Sequence, residues 1–319
     1  SSYGVEDTER KWFESYLLGR KQSIEYGGVL SDHQTITTGV PQGSILGPVL
    51  FVLLINDLHF LLKDCKILLY ADDTVLYYSN KDISTIQDKL NENLDITSKW
   101  LKENYLTLNL KKGKTEGMVF STKKKDPVEL SISGTIINNT ESYKYLGVTL
   151  DTRLSMSLHI DCTFKKVSSR IKLLRKVRHH FSPHVAEIVV KPILLLMLYC
   201  SNIFLLNTVN RYQLLQDRAF EIVFGFGHLD NWRSIKNEMK RRCIIEIFKI
   251  LNNAKMSNNF FEYFKRIQHS SNTRGNNSLL RIERVRSENG RKSFKVAGAL
   301  TFNDLPVKIR NETSITKLK

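Results

Sequence analysis

The stretch KILLYADDTVLYY, Lys66 to Tyr78, sets two adjacent aspartates, Asp72 and Asp73, between two apolar runs. Ile67–Tyr70 and Thr74–Tyr78 are each about the length of a short strand. If both runs are buried, the chain must turn between them, and the turn carries both carboxylates to the end of a hairpin. Adjacent carboxylates repel, and in a low-dielectric surround at least one takes up a proton unless a cation is present. A water-exposed Asp-Asp turn is the plain reading of the pair alone. The apolar flanks favour a hairpin end that can reach a divalent metal.

Composition limits the rest. With 319 residues, 41% hydrophobic and 25% charged, the chain can bury a sizeable core in two or three subdomains. Cys65, Cys162, Cys200 and Cys243 have neither disulfide-framework nor zinc-ligand spacing, which fits a reducing, intracellular compartment without resolving nucleus from cytoplasm. The chain opens without Met, signal peptide or transit-like segment, on sequence that reads as an amphipathic helix already under way, so it reads as a piece of something longer. The apolar stretch Ile188–Leu206 is nearly long enough to span a bilayer, but Lys191, Pro192, Ser201 and Asn202 interrupt it. A buried core helix and no membrane association are expected. Charge is asymmetric: residues 1–150 hold 17 Lys and Arg against 19 Asp and Glu, and residues 151–319 hold 31 against 13. A basic excess of that size points to a polyanion, most commonly nucleic acid.

Residues 20–80 and 105–150 are rich in strand signals, with a hairpin expected about Gly27-Gly28. A Gly- and Pro-punctuated loop, Pro41 to Pro48, precedes an apolar helix ending near Leu58. Ile83, Ile86, Leu90, Leu94 and Leu101 predict an amphipathic helix over Ile83–Asn104. Leu106, Leu108 and Leu110 alternate with polar residues as in a half-buried strand, Lys111–Lys114 forms a basic turn, and TEGMVF reads as a return strand. VELSISGTIIN predicts a hairpin about Gly134, and Tyr143–Asp151 closes this half. Beyond Asp151 the pattern is helical. Phe164, Val167, Ile171, Leu174, Val177 and Phe181 mark one face of a helix, and Lys165, Lys166, Arg170, Lys172, Arg175, Lys176 and Arg178 occupy its other positions, a design suited to a phosphate backbone. The Asn- and Ser-rich segment Gln268–Arg281 reads as a linker.

Tyr70-Ala71-Asp72-Asp73 resembles the Tyr-x-Asp-Asp signature of reverse transcriptases, and its surroundings resemble those of non-long-terminal-repeat, jockey-like retrotransposons. GVPQGSILGPVLF, Gly39–Phe51, is similar to the family's template and nucleotide-positioning loop. The resemblance continues through WLKENYLTLNLKKGKTEGMVF, YKYLGVTLD and NGRKSFKVAGALTFNDLP. It implies an α+β fold: a right-hand polymerase palm, an antiparallel sheet with packed helices, followed by a mainly helical thumb and C-terminal region. The implied divisions are a partial palm over 1–150, a thumb-like region over 151–226 and a basic C-terminal region over 227–319. The palm would hold the template loop at 39–51, the hairpin at 66–78 and a primer-grip-like segment at 143–151.

By the same resemblance, Asp72 would ligate two catalytic Mg²⁺ ions with Asp73 assisting, in two-metal nucleotidyl transfer on an RNA template and DNA primer. Gln42, Gly43 and Ser44 would sit beside the templating base and incoming nucleotide. Asn109 and Lys114 would lie beneath the active site, with Lys114 neutralising phosphate charge. Tyr145, Leu146 and Gly147 would form the primer grip, and Lys165, Lys166, Arg170 and Arg175 would hold the duplex through phosphates. One part of the pattern is missing: the family's further aspartate on an upstream strand. Asp7 falls in helix-like sequence and Asp32 in a polar strand or turn, so neither replaces it. The chain therefore reads as a catalytically incomplete RNA-directed DNA polymerase whose fingers, remaining palm and endonuclease lie upstream. The alternative is a non-catalytic nucleic-acid-binding remnant or co-opted copy.

Overall fold

In a computed structural model of the chain, residues 4–121, 127–198, 209–225, 234–252, 263–267 and 278–312 are described. The chain divides into two compact units, residues 1–117 with 126–139, and residues 118–125 with 140–319. Helices and strands are mixed in an α+β arrangement.

The first unit opens with helix α1, Asp7–Leu17, on which Trp12 stacks with Tyr16 and meets Phe13 edge-on. Four short strands follow. β1, Lys21–Gln22, pairs with β4, Gln34–Thr35, outside an inner hairpin of β2, Glu25–Tyr26, and β3, Val29–Leu30. Gly27 and Gly28 both have positive φ, as the two central positions of a tight type I′ hairpin turn require. Helices α2, Gly47–Asn56, and α3, Leu58–Leu61, precede the paired strands β5, Lys66–Tyr70, and β6, Asp73–Tyr77. Ile55, Leu58 and Trp100 form a small core, against which Phe51, Ile67, Leu69, Leu101 and Leu106 pack.

Helix α4, Ile83–Glu103, is closed at both ends by local chemistry. Asp82 accepts bonds from Thr85 N at 3.0 Å and from the Ser84 and Thr85 hydroxyls, which hold its carboxyl far below the ordinary range. At the C-terminus Tyr105 takes a positive φ, Tyr105 N donates to Lys102 O and Leu106 N to Leu101 O. This is the Schellman closure, and its usual hydrophobic contact is made by Leu101 and Leu106 in the core. The expected strand through Leu106, Leu108 and Leu110 does not form for that reason: Leu106 belongs to the helix stop. Asn109 then bends the chain, its Oδ1 accepting from Lys111 N at 3.1 Å and its carbonyl from Thr115 Oγ1 at 2.9 Å.

The TEGMVF strand shrinks to β7, Glu116–Gly117, and it runs parallel to its partner rather than returning beside its neighbour in sequence. That partner, β9, Thr135–Asn139, forms with β8, Leu130–Ile132, the expected hairpin about Gly134. The free edge of β8 is met by side chains of α4: Gln87 Oε1 accepts from Glu129 N, and Asn91 exchanges bonds with Glu129 O and Ser131 N. Among the described residues β5–β6 remains a two-stranded ladder, so the continuous antiparallel sheet expected of a palm is not formed here.

The second unit begins with the hairpin β10, Ser142–Tyr145, and β11, Val148–Asp151, joined by Leu146 and Gly147, both at positive φ. Helix α5 spans Ser157–Val177, starting seven residues before the expected Phe164, and Arg178–His180 adds one 3₁₀ turn. It packs on α6, Pro183–Leu198, and α7, Val209–Phe224, through Val167, Ile171, Leu174, Ala186, Val190, Tyr212, Leu215 and Ala219. Of the apolar stretch Ile188–Leu206, residues 199–206 lie outside the described residues. The rest is helical, with Val190 and Leu194 buried while Ile188 and Val189 are exposed, so it is not buried all round. No described helix is long and apolar enough to cross a membrane.

A second core joins α8, Ile235–Asn252, to α10, Phe294–Asn303, which follows the short α9, Glu288–Lys292, and precedes α11, Val307–Arg310. Phe248 and Phe302 meet there with ring centroids 5.3 Å apart. Residues 268–277 of the expected linker lie outside the described residues. Its last residues are not linker-like: Leu280 is fully buried and exchanges backbone bonds with the Asn303 amide at 2.8 and 2.9 Å.

Candidate active site and nucleic-acid interface

The acidic turn is built by the β5–β6 ladder. Lys66 pairs with Tyr77 and the register runs to Tyr70 with Asp73, leaving Ala71 and Asp72 as the two turn residues. Ala71 lies at φ 51°, an unfavourable region for a residue with a Cβ, which the tight reversal imposes. Ile67 and Leu69 face the Trp100 cluster, whereas Leu68 and Tyr70 are 48% and 64% exposed. The sequence pattern suggested a buried hairpin. The structure gives one covered face and one open face, because two strands have only one helical layer against them. Asp72 and Asp73 are both exposed. Among the described residues no three Asp, Glu, His or Cys side chains gather as a metal-ligand group. Asp7 lies in the first turn of α1, and Asp32 is exposed between β3 and β4.

The loop Pro41–Ser44 is a turn closed by Ser44 N donating to Pro41 O at 3.3 Å. Gly43 occupies its third position at φ 81°, the conformation for which a type II turn needs glycine. Ser44 Oγ accepts from Gly47 N at 3.0 Å and so tethers the loop to the start of α2. A Cβ on Gly47 would lie 2.9 Å from Ser44 Oγ and 3.4 Å from Pro41 O, so a side chain there would push the Ser44 hydroxyl off its bond to Gly47 N. Gln42 is left exposed at the tip. Loop and acidic hairpin are tied to the same core, the first through Phe51 and Ile55 of α2, the second through Ile67 and Leu69 of β5. Asn109 and Lys114 share a separate exposed turn, in which Lys114 N donates to Lys111 O and Gly113 N to Glu116 Oε1.

Tyr145, Leu146 and Gly147 belong to the second unit, at the tip of β10–β11. Tyr145 is half-buried and the turn itself is exposed. The base of that hairpin feeds α5 through Asp151, a residue the sequence reading noted only as a boundary. Its buried carboxylate accepts from Arg153 N at 3.1 Å, Ser155 N at 3.0 Å, Ser155 Oγ at 3.0 Å and Met156 N at 2.9 Å. Burial alone would raise the Asp151 pKa, but the donated bonds outweigh it and hold the carboxyl below its ordinary value. The available signal was an Asp at a strand end, followed four residues later by Ser before a helix.

On α5, Lys165, Lys166, Arg170 and Arg175 are all exposed, around and beside the buried stripe of Val167, Ile171 and Leu174. Arg178 is not part of that cationic face. It is half-buried and donates to Ile222 O at 3.0 Å and Val223 O at 2.7 Å, satisfying carbonyls at the end of α7. Arg211 of α7 lies over the Phe164 ring at 4.7 Å and pairs with Asp161 at 2.8 Å, fixing α5 from the side.

Residues 2–150 match the family described as reverse transcriptase (RNA-dependent DNA polymerase). This segment belongs to the reverse transcriptase family. The chain is 27% identical over 241 residues to the RNA-directed DNA polymerase from mobile element jockey of Drosophila melanogaster, covering 71% of this chain and 26% of that protein. It is 30% identical over 226 residues to the probable RNA-directed DNA polymerase from transposon BS of the same species, covering 66% and 25%. A probable RNA-directed DNA polymerase from transposon X-element is 28% identical over 172 residues, covering 53% and 18%. The jockey and BS alignments are longer than the family match, so similarity to these mobile-element reverse transcriptases continues into the helical unit. The chain spans about a quarter of the length of these two relatives. No solved structure matches it significantly.

Proposed function

We propose that this chain is the part of a mobile-element RNA-directed DNA polymerase that carries the acidic hairpin, the nucleotide-positioning loop and a basic helical grip for the template-primer duplex. The observation that carries the reading is the β5–β6 register, which puts Asp72 in the turn and Asp73 at its first paired position. Hard carboxylate oxygens on an exposed turn fit Mg²⁺, which takes one or two protein carboxylates and completes its shell with water and substrate phosphates. Asp72 and Asp73 would hold the ions, which when bound activate a primer 3′-hydroxyl and stabilise the leaving pyrophosphate. The chain's own residues would supply position. Gly43 lets backbone approach a nucleotide closely. Ser44 holds that loop to α2, and Lys114 brings a cation to the turn after Asn109. Tyr145, Leu146 and Gly147 offer a tight turn for the primer end, and the α5 cations hold phosphates without reading bases.

The palm and thumb assignments, over 1–150 and 151–226, belong to this proposal, as does the basic region over 227–319. Catalysis by this chain alone is not expected, because no third carboxylate joins Asp72 and Asp73 among the described residues. Primer extension on poly(rA)/oligo(dT) with Mg²⁺ or Mn²⁺ tests it. The chain alone should incorporate nothing, and a fusion supplying the aspartate-bearing strand of a relative should incorporate nucleotide and lose that activity with Asp72→Ala. Incorporation by the unfused chain that Asp72→Ala removes would refute the missing-ligand argument. A soluble, folded and duplex-binding fusion that extends nothing would favour the non-catalytic, nucleic-acid-binding remnant.

A further inference from the structure

The cationic face of α5 does not stop at Phe164. His159, Thr163, Lys166 and Arg170 follow at spacings of four, three and four, so they form one stripe along the helix. The stripe begins where α5 meets the hairpin. Thr149 N on β11 donates to His159 Nδ1 at 3.2 Å, and Thr163 Oγ1 lies 3.5 Å from His159 Nε2. Thr149 is also the cross-strand partner of Lys144 on β10. In a two-residue hairpin the pair next to the turn exchanges the backbone bonds and the following pair does not. Thr149 therefore turns its N–H outward to the histidine, and Lys144 shares a face with the Thr149 side chain.

Two exposed lysines, one from each element, thus act on a half-buried imidazole. Among the described residues, the charges that act on that ring are those of Lys166 and Lys144. The acids nearby in sequence are engaged elsewhere, Asp151 by Arg153, Ser155 and Met156, and Asp161 by Arg211. β11 meets the ring through the uncharged Thr149. A set of like charges held together by hairpin and helix, with its counter-charges spent elsewhere, is a place for an anion.

We infer that Lys144, His159 and Lys166 form one proton-linked phosphate site at the junction of the β10–β11 hairpin with α5. The ligand is a backbone phosphate of the bound nucleic acid, so the inference rests on the nucleic-acid grip proposed above. In the unliganded chain, burial first, then Lys166 and Lys144, hold His159 below its ordinary value. The ring is neutral, with Nδ1 accepting from Thr149. A phosphate seated on the two lysines removes two of those three causes, and His159 takes a proton from solvent. Protonated Nδ1 can no longer accept from Thr149 N, so the ring turns and offers an N–H to the phosphate. By linkage, whatever raises the pKa on binding also makes binding tighter as pH falls. A single linked proton limits the gain to at most about tenfold per pH unit.

The test is duplex affinity by fluorescence anisotropy between about pH 7.5 and 5.5, the window around histidine's ordinary value. The full chain and His159→Asn are compared at fixed salt with a labelled RNA·DNA duplex. Asn keeps an acceptor for Thr149 N–H but does not titrate. The wild-type chain should gain several-fold more affinity than His159→Asn across that window, and Lys144→Gln with Lys166→Gln should erase the difference. In parallel, the NMR titration of the His159 ring should shift upward when duplex is added. Equal pH dependence in wild type and His159→Asn, with no upward shift of the ring titration, overturns the site while leaving the nucleic-acid reading intact. Absence of duplex binding at every pH overturns both.

Discussion

Replacing Asp151 by Ala should destabilise the second unit by about 2–4 kcal/mol. One carboxylate there serves three backbone N–H groups and one hydroxyl, at 2.9–3.1 Å, and so shapes the loop that carries β11 into α5. The groups differ in what they lose. Arg153 and Ser155 are exposed and can rebond to water, whereas Met156 is buried and its N–H would be left without a partner, a cost of about 1–3 kcal/mol. Loss of a cap-like acceptor at a helix start adds about 1 kcal/mol. Met156, at positive φ, then loses the bond that fixes its N–H, while Leu154 N keeps its bond to the Asp151 carbonyl at 2.8 Å. Asp151→Asn keeps one acceptor oxygen and should cost roughly half as much.

The pH dependence follows from the depressed carboxyl. The native state binds its proton less readily than the unfolded chain does, so the stabilisation is complete above the ordinary carboxylate value near pH 4 and is lost as pH falls through the lower folded value. Urea unfolding followed by far-ultraviolet circular dichroism, with hydrogen exchange of the α5 amides, measures both effects. The gap between wild type and Asp151→Asn should narrow on acidification. An Asp151→Ala chain within about 0.5 kcal/mol of wild type at neutral pH would refute this account of the helix start.

Changing Lys165, Lys166, Arg170 and Arg175 to Glu should weaken duplex binding alike for all sequences and flatten the dependence of log affinity on log salt by roughly 0.9 per lost phosphate contact, as read by anisotropy titrations at several salt concentrations. If affinity survives that change but disappears on neutralising Arg281, Arg284, Arg286, Arg291 and Lys292, the grip belongs to the C-terminal region instead. Thiol mapping with iodoacetamide and mass spectrometry should find the exposed Cys162 modified in the native chain. Cys243, whose thiol burial pushes up to about 11, should react only in denaturant. Native-state labelling of Cys243 at the Cys162 rate would show that the second core opens readily.

What the sequence determined by itself was whatever a few consecutive residues settle among themselves. Gly27-Gly28 and Gly134 mark hairpin turns because their positive φ is local chemistry, and the apolar spacing of α5 names the face that helix must bury. On α4 the spacing gave the helix but not its most buried side, where Asn93, Thr97, Ser98 and Trp100 lie. The acidic hairpin was legible for the same reason, but its register was not: the turn falls on Ala71 and Asp72, and Asp73 already pairs with Tyr70. The tertiary structure decided the cases in which one residue had two possible partners. Leu106 fits a strand by alternation, but Leu101 and the Trp100 cluster take it as a helix stop. Glu116–Gly117 found β9 from the parallel side, a pairing that depends on where α4 delivers the chain. Arg178 looked like one more surface cation until the end of α7 supplied carbonyls for it. Asp151 and His159 were hidden in the same way: an acid and an imidazole acquire a role only from the donors that folding brings to them. Hydrogen bonds are short-ranged, and Thr149 N lies ten residues from His159 along the chain yet 3.2 Å from its ring.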